Sequence, residues 1–341
     1  MRNLKEKNIV ELIENEVEEN IIRESLIENG DKLVVAVSGG PDSMCLLTTL
    51  FHLQEKFKQV YNINYSLVVA HVNHMIREES EDEKKYVEDI CKKLNLPFYY
   101  LKKDVKKLSR EDKMSEETYG RKIRYDFFDE VLKKENAQKI VTAHNANDDV
   151  ETILLNLFRG TGLKGLTGIE FKYKNIIRPL ITVEKKDIME YNIFQNLNPC
   201  IDKTNFELIC TRNKVRNILI PELEKEYNSN ILKSILRMKS ILNEDEDFLN
   251  KYTLNVVKQS IIEYNKCIKF DYTIILNEHM SIKNRAIREL IKLKVQNLDG
   301  VSNIHINDIL ELLENGQKGK KYIMGNKFKI EIINKNIAIL Y

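Results

Sequence analysis

The segment LVVAVSGGPDS, residues 33–43, decides the fold of this chain. Its first five residues form a short, fully apolar run, which is typical of a strand buried in a parallel sheet. Two glycines lie in the turn that follows, and they allow the backbone to bend tightly and to approach a ligand closely. An apolar helical stretch from Met44 to Leu53 comes next. This order predicts a phosphate-binding loop, because backbone N–H groups at a helix N-terminus point at an anion.

The turn itself supplies the candidate nucleotide contacts, which are Ser38, Gly39, Gly40, Pro41, Asp42 and Ser43. The two serines add hydroxyl donors to the backbone N–H groups. Asp42 is an anion and does not attract phosphate, so we expect it to hold a Mg²⁺ ion that bridges to the phosphates. The alternative is an ordinary strand-to-helix turn in which Asp42 caps the helix.

The alternation of strand and helix continues along the first half of the chain. Apolar runs at 67–70, 98–101 and 140–143 are separated by helical patterns, and Ile176–Ile177 is a further strand candidate. Strands separated by helices of this length predict βαβ units and a parallel sheet. The expected fold class is therefore α/β, with a Rossmann-like, parallel-sheet nucleotide-binding domain.

Polar residues cluster where the predicted strands end. Three such runs are Ser38–Ser43, His71–Arg77 and His144–Glu151. Ligands of parallel sheets bind at the carboxyl ends of the strands, so we expect the site there. The segment Gly160–Gly165 matches G-x-G-x-x-G, but it follows a helical run and not a strand. It therefore does not predict a dinucleotide site.

Composition narrows the class of protein. The 341 residues include 54 Lys+Arg and 52 Asp+Glu, a net charge of +2, so the global charge points to no partner. An apolar run of about 18 residues, as a membrane span needs, is absent, and so is the apolar core of a signal peptide. The five cysteines are scattered without a C-x-x-C pair, which favours a reducing cytoplasm over a disulfide framework.

The pattern changes after about residue 200. Residues 212–262 are mainly helical, and helical and short strand patterns follow. We expect three parts: a catalytic domain over 1–220, a helical linker over 221–240 and a smaller α/β domain over 241–341. Basic clusters at 283–294 and 316–329 make the last part a candidate for binding nucleic acid.

Several motifs, in order along the chain, resemble those of one family. Ser-Gly-Gly-x-Asp-Ser is the loop of the N-type ATP pyrophosphatases (the PP-loop family), which split ATP between the α and β phosphates. The runs HVNHMIR (71–77) and GRKIRY (120–125) resemble those of tRNA(Ile)-lysidine synthetases, as do segments 142–152, 159–166, 178–180 and 212–216. The match covers about residues 30–220, and the chain resembles a short form of this family with one C-terminal, tRNA-binding domain.

The resemblance implies a ligase that forms a carbon–nitrogen bond. ATP, L-lysine and the wobble cytidine of a tRNA(Ile) with a CAU anticodon give lysidine, AMP and pyrophosphate through an adenylated tRNA. The modification changes codon reading from AUG to AUA and amino-acid identity from Met to Ile. ATP and Mg²⁺ are the implied cofactors, tRNA(Ile) and L-lysine are the implied partners, and the implied location is the cytoplasm without a membrane. A homodimer is left open.

The implied reaction assigns roles to several charged residues. Lysine enters as a cation and must lose a proton before it attacks, because its amine has a pKa of about 10.4. Asp148 and Glu151 lie three residues apart on a predicted helix and therefore on the same face of it. Together they could bind the amine, and one of them could take its proton. An acidic first turn that complements the helix dipole is the alternative. The predicted catalytic residues are Asp42, Asp148, Glu151 and Arg212.

The other candidates contact the substrates. His71 and His144 join the loop as predicted nucleotide contacts. The predicted contacts to tRNA or lysine are Asn73, His74, Arg77, Arg121, Arg124, Arg159 and Arg216. Asn145, Asn147 and Asp149 stand where the family pattern has His, Asp and Gln, and Asp149 is a candidate to compensate for the missing Asp.

Two other functions stay open from the sequence. A tRNA thiolase of the 2-thiocytidine type has the same loop but carries sulfur on cysteines, whereas Cys45 and Cys91 lie on helical patterns. A non-catalytic RNA-binding protein could keep an inactive nucleotide fold. The intact loop together with Asp148 and Glu151 argues against that second alternative.

Overall fold

The computed structural model describes residues 2–73, 80–200, 210–296 and 298–341. The chain forms two compact units, Met1–Lys239 and Ser240–Tyr341. His74 and Arg77, both predicted to contact substrate, lie outside the described residues. Among the described helices, none is both long and apolar enough to cross a membrane.

A six-stranded sheet forms the centre of the first unit. Its strands are β1 Lys32–Ala36, β2 Ser66–Asn73, β3 Phe98–Lys102, β4 Lys139–Val141, β5 Lys172–Tyr173 and β6 Ile176–Ile177. They lie in the order β3-β2-β1-β4-β6-β5. All neighbours pair in parallel except β5 and β6, which are antiparallel. The predicted parallel α/β sheet is confirmed.

Helices connect the strands of this unit. They are α1 Arg2–Arg23, α2 Pro41–Val60, α3 Ser80–Lys93, α4 Val105–Glu111, α5 Glu116–Lys134, α6 Ala146–Phe158, α7 Leu163–Leu166, α8 Lys185–Phe194, α9 Thr211–Lys214 and α10 Ile220–Glu226. A π-helical turn, Val215–Leu219, joins α9 to α10, and α11, Ile231–Ser260, begins in this unit and ends in the second.

Burial on both faces of β1 explains why its sequence is apolar. Val35 belongs to a buried cluster with Met44 and Leu47 of α2, while Val34 packs with Phe127 of α5 in a second cluster. Burying each such side chain contributes roughly 1.5–3 kcal/mol to folding. The strand is thereby fixed in the centre of the sheet, and its polar continuation emerges at the carboxyl edge.

The second unit has a sheet and a core of its own. Its strands are β7 Ile261–Tyr264, β8 Ile268–Asp271, β9 Lys321–Met324, β10 Phe328–Ile332 and β11 Ile337–Leu340, all antiparallel in the order β7-β8-β11-β10-β9. Its helices are α12 Tyr272–Leu276, α13 Met280–Val295 and α14 Asn303–Asn315. Phe270, Ile287 and Ile309 are fully buried between helices and sheet. The helix expected to run to residue 262 ends at Ser260, because the chain there enters strand β7.

Candidate active site

The loop after β1 is held in shape by its own serines. Gly39 has φ +87°, which a side chain would strain, and Gly40 donates its N–H to Ser38 Oγ at 3.3 Å. Ser43 Oγ accepts from the N–H of Ser38 at 3.2 Å and donates to the carbonyl of Gly40 at 2.9 Å. Helix α2 then begins at Pro41, so the loop and the N-terminus of α2 form one concave backbone surface.

A cavity of about 480 Å³ opens at the carboxyl end of the sheet beside this loop. Of the residues predicted from sequence, the cavity brings together Ser38, Gly40, Asp42, Ser43, Asn73, Arg121, Arg124, His144, Asp148, Arg212 and Arg216. Gly39, Pro41, His71, Glu151 and Arg159 do not line it. Sequence reasoning missed the apolar wall formed by Ala36, Val72 and Phe128, because apolar residues near strand ends resemble ordinary core.

Asp42 lies at the start of α2, half-buried, and faces the start of α6. Its Oδ1 accepts a hydrogen bond from Asn145 Nδ2 at 3.0 Å. Burial raises the pKa of Asp42 above its usual value, and the Asp148 carboxylate raises it further. Lys185, at the start of α8, acts in the opposite direction. Nothing in the sequence around Lys185 pointed to this position near the site.

The side chains at this site suit Mg²⁺, which keeps water and phosphate ligands, better than a metal ion that is coordinated by protein side chains alone. The described residues contain no group of three or more His, Cys, Asp or Glu side chains that could hold a metal ion. Mg²⁺ is usually bound by one or two carboxylates together with water and substrate phosphates. Asp42, next to the phosphate loop, fits that pattern.

Asp148 and Glu151 share two arginines. Glu151, whose side chain is 1% exposed, accepts from Arg212 Nε at 2.7 Å and from Arg216 Nε and Nη2 at 2.6 and 2.9 Å. Asp148 Oδ1 lies 3.1 Å from Arg216 Nη2 and 3.4 Å from Arg212 Nη2, and its side chain is 19% exposed. Glu151 is therefore closed to solvent and makes the shorter bonds, whereas Asp148 makes longer bonds and opens onto the cavity.

The π-helical turn helps to place these arginines. Arg212 lies on α9 and Arg216 lies in the turn, and both face the same carboxylates of α6. Such turns inside helices occur frequently at functional sites. The acidic first turn of α6 thus does more than complement the helix dipole, which was the alternative interpretation.

His144 lies among cationic groups. Its Nδ1 is 3.0 Å from Thr142 Oγ1. Burial, followed by the positive charges of Arg178 and Arg212, lowers the pKa of His144 to about 3. Arg121 and Arg124 act in the same direction. The imidazole is therefore neutral at physiological pH and available for hydrogen bonding.

Two predicted contacts lie away from the cavity. His71 is 1% exposed, donates from Nδ1 to the carbonyl of Val37 at 2.8 Å and stacks on Tyr100. A direct nucleotide contact is therefore not supported for His71, because the ring is buried and bonds the carbonyl of Val37, the residue before the loop. Arg159 follows α6 as an exposed residue, outside the cavity lining.

The three departures from the family pattern have distinct structural roles. Asn145 caps α6 and also reaches Asp42, and Asn147 Oδ1 accepts from the N–H of Lys185 at 2.9 Å. Asp149 accepts from Lys239 Nζ at 2.5 Å and from the N–H of Ile169 at 2.6 Å. The expectation that Asp149 compensates in the site is wrong, because its buried carboxylate is bonded within the protein and does not line the cavity.

The loop, the parallel sheet and the cavity at its carboxyl edge define a nucleotide-binding domain of the PP-loop class, and a sequence model of the PP-loop domain matches residues 5–223. The chain is 42% identical over 298 residues to a tRNA(Ile)-lysidine synthase from Caldanaerobacter subterraneus subsp. tengcongensis, covering 87% of this chain and 62% of the relative. It is 37% identical over 351 residues to the enzyme of that name from Clostridioides difficile, covering 97% and 73%. The chain belongs to the tRNA(Ile)-lysidine synthase family, as its motifs predict.

The chain spans less than two thirds of the length of some of the curated relatives it matches, 62% for the Caldanaerobacter protein and 64% for one from Clostridium tetani. A U34-tRNA thiolase from Methanococcus maripaludis has a similar structure, with a TM-score of 0.57 and 19% identity, over 70% of this chain and 80% of the thiolase. At that identity the likeness concerns the fold alone.

Proposed function

We propose that this chain ligates lysine to C2 of the wobble cytidine of a tRNA(Ile) with a CAU anticodon, using ATP and passing through an adenylated tRNA. One observation carries the proposal: the phosphate loop with Asp42 shares a single cavity with Asp148 and the arginines that follow it in the family motifs. The names of the relatives support the same reaction. The products are lysidine, AMP and pyrophosphate.

ATP binds with its phosphates on the loop. The Ser38 hydroxyl and the N-terminus of α2 supply donors for a departing pyrophosphate. Ala36, Val72 and Phe128 offer an apolar wall for the base. Mg²⁺ held by Asp42 neutralises charge on the phosphates when it is bound.

The first step joins the nucleotide to the RNA. The C2 oxygen of the cytosine attacks the α-phosphorus, and the bond to pyrophosphate breaks. Arg121 and Arg124 line the cavity and stabilise negative charge on the phosphates or on the RNA backbone. Neutral His144 serves as a hydrogen-bonding group in this step and not as a cation.

Lysine enters next, and the structure changes which carboxylate should receive it. Glu151 is 1% exposed and does not line the cavity, whereas Asp148 lines it, so we assign the incoming amine to Asp148. Asp148 accepts a proton from the ammonium group, and the free amine attacks C2. The new C–N bond forms as the C2–O bond to AMP breaks. Glu151 holds Arg212 and Arg216 in place.

The second unit supplies a smaller set of tRNA contacts than its sequence suggests. In the 283–294 cluster, Arg285 pairs with Glu246 at 2.6 Å, and Lys292 with Glu289 at 3.2 Å. Lys318 and Lys320 are exposed and have no ion pair within the described part of the chain. These two lysines are the proposed phosphate contacts of this unit.

The reaction is tested by incubating the chain with ATP, labelled lysine and bulk tRNA. Label should enter the RNA, with one AMP and one pyrophosphate for each lysine, and omission of lysine should leave adenylated tRNA. Stoichiometric ADP and phosphate would overturn the ATP chemistry. Sulfur in the modified nucleoside would favour the thiolase, and tRNA binding without any ATP turnover would favour the non-catalytic protein.

A further inference from the structure

Asn145 makes hydrogen bonds in two directions at the start of α6. Its Oδ1 accepts from the N–H of Asp148 at 3.1 Å, which caps the helix. Its Nδ2 donates to Asp42 Oδ1 at 3.0 Å, across to the start of α2. The residue is 2% exposed, so water does not compete freely for either bond.

We propose that Asn145 is a positioning residue that holds the Asp42 carboxylate toward the metal-bound phosphates of ATP. The proposal rests on the function proposed above, because it assumes that Asp42 meets Mg²⁺ at the nucleotide. Asn145 itself contacts neither substrate nor the reacting atoms in this assignment.

The side-chain chemistry at position 145 supports this role. The cap requires an acceptor that faces the N–H of Asp148, so the amide oxygen must lie there and the NH₂ group must face Asp42. A neutral side chain with a donor and an acceptor on one rigid group satisfies both partners. An aspartate would keep the cap but bring a like charge to Asp42, and a serine would keep the cap but is too short to serve both partners.

The bond also fixes which oxygen of Asp42 is used. Among the described residues, the hydrogen bond to Asp42 comes from Asn145 and ends on Oδ1. Asp42 is the second residue of α2, directly after the loop that would hold the phosphates. With Oδ1 fixed against α6, Oδ2 is the carboxylate oxygen left for a ligand in the cavity, which Asp42 lines and Asn145 does not.

The competing explanation is that Asn145 only caps α6. Serine and aspartate are good N-cap residues, whereas alanine costs typically about 1 kcal/mol. If capping is the whole role, Asn145→Ser and Asn145→Asp should behave as wild type, and Asn145→Ala should lower the melting temperature. If Asn145 positions Asp42, the Ser and Asp variants should keep their melting temperatures and still lose nucleotide binding in Mg²⁺.

The decisive measurement is equilibrium binding of ATP by the full chain, with MgCl₂ and with EDTA. We expect Asn145→Ser to weaken ATP binding about 10-fold or more in Mg²⁺, the scale of a hydrogen bond to a charged group, and to leave binding in EDTA unchanged. Asn145→Asp should lose more. In an Asp42→Asn background, Asn145→Ser should add no further loss.

Each outcome decides the proposal. Wild-type ATP binding by Asn145→Ser in Mg²⁺, an equal loss with and without Mg²⁺, or a full additional loss in the Asp42→Asn background would each overturn it. The binding assay needs neither tRNA nor lysine. A wild-type chain that binds ATP but transfers no lysine would refute the proposed function and leave the test of Asn145 intact.

Discussion

The pairing of Glu151 with two arginines makes a quantitative prediction about stability. Glu151→Gln keeps the shape of the side chain but removes its charge and turns one oxygen into a donor that faces guanidinium donors. Breaking a buried ion pair from one side costs about 3–5 kcal/mol, because the remaining charge stays buried. The Arg212 and Arg216 side chains are 35% and 24% exposed, so water relieves part of that cost. We therefore expect the free energy of unfolding to fall by about 3 kcal/mol, the lower end of that range.

A double-mutant cycle separates this pairing from a general loss of packing. Arg216→Gln removes two of the three bonds to Glu151, and we expect the double variant to be less destabilised than the sum of the singles by about 2 kcal/mol. Glu88→Gln is the matched control, because Glu88 pairs with Lys84 and Lys92 on the surface of α3. It should leave the stability close to that of wild type, because water screens exposed ion pairs.

The free energies come from urea denaturation of the four chains in the cycle and of the control. Additive effects within about 0.5 kcal/mol would refute the assignment of Glu151 to the arginines. A Glu151→Gln chain of normal stability with a raised KM for lysine would return Glu151 to the role of amine acceptor.

Three other perturbations test the rest of the site. Asp42→Asn should lower lysine-dependent pyrophosphate release by about 100-fold or more, while tRNA binding measured by filter assay stays close to that of wild type. Pyrophosphate release at close to the wild-type rate would show that Asp42 has no part in the reaction. Replacing Lys318 and Lys320 together by alanine should reduce the slope of log Kobs for tRNA against log salt by about 2, whereas the same change at Lys292, which pairs with Glu289, should have little effect. His144→Gln should make the stability of the folded chain less sensitive to acid. Below a pH of about 6.5 the unfolded wild-type chain takes up a proton on His144 while the folded chain does not, so its free energy of unfolding should fall by up to about 1.4 kcal/mol per pH unit toward pH 5. Equal slopes of unfolding free energy against pH for the two chains, measured by urea denaturation, would contradict the lowered pKa of His144.

Local patterns were enough to predict the fold of the first unit. The apolar run before Ser38 and the glycines after it specify strand, turn and helix within a dozen residues, and each signal acts over a short distance. The polar run at His144–Glu151 was correctly expected at a strand end, because parallel strands bring their carboxyl ends to one edge.

Long-range pairing was not accessible from one sequence. Arg216 lies 65 residues from Glu151, and Asn145 lies 103 residues from Asp42, so no spacing rule links them. Asp149 illustrates the same limit, because adjacent carboxylates on a helix point in different directions. Asp148 faces the cavity, while Asp149 is bonded to Lys239 and to the backbone at Ile169, where Gly168 leaves no room for a Cβ.

The proposed reaction needs an anion and a cation in one cavity, and the charged side chains of the site are arranged to accommodate both. In that proposal the phosphates meet the N-terminus of α2, whose donors a nearby carboxylate does not neutralise as it does a lysine or arginine. Glu151 pairs with both arginines on the side that is closed to solvent. Asp148 shares those arginines at longer distances and remains the carboxylate that opens to the cavity. In the proposed reaction a lysine ammonium group reaches Asp148 from the cavity beside the phosphate loop, because the shortest bonds of the two arginines go to the deeper Glu151.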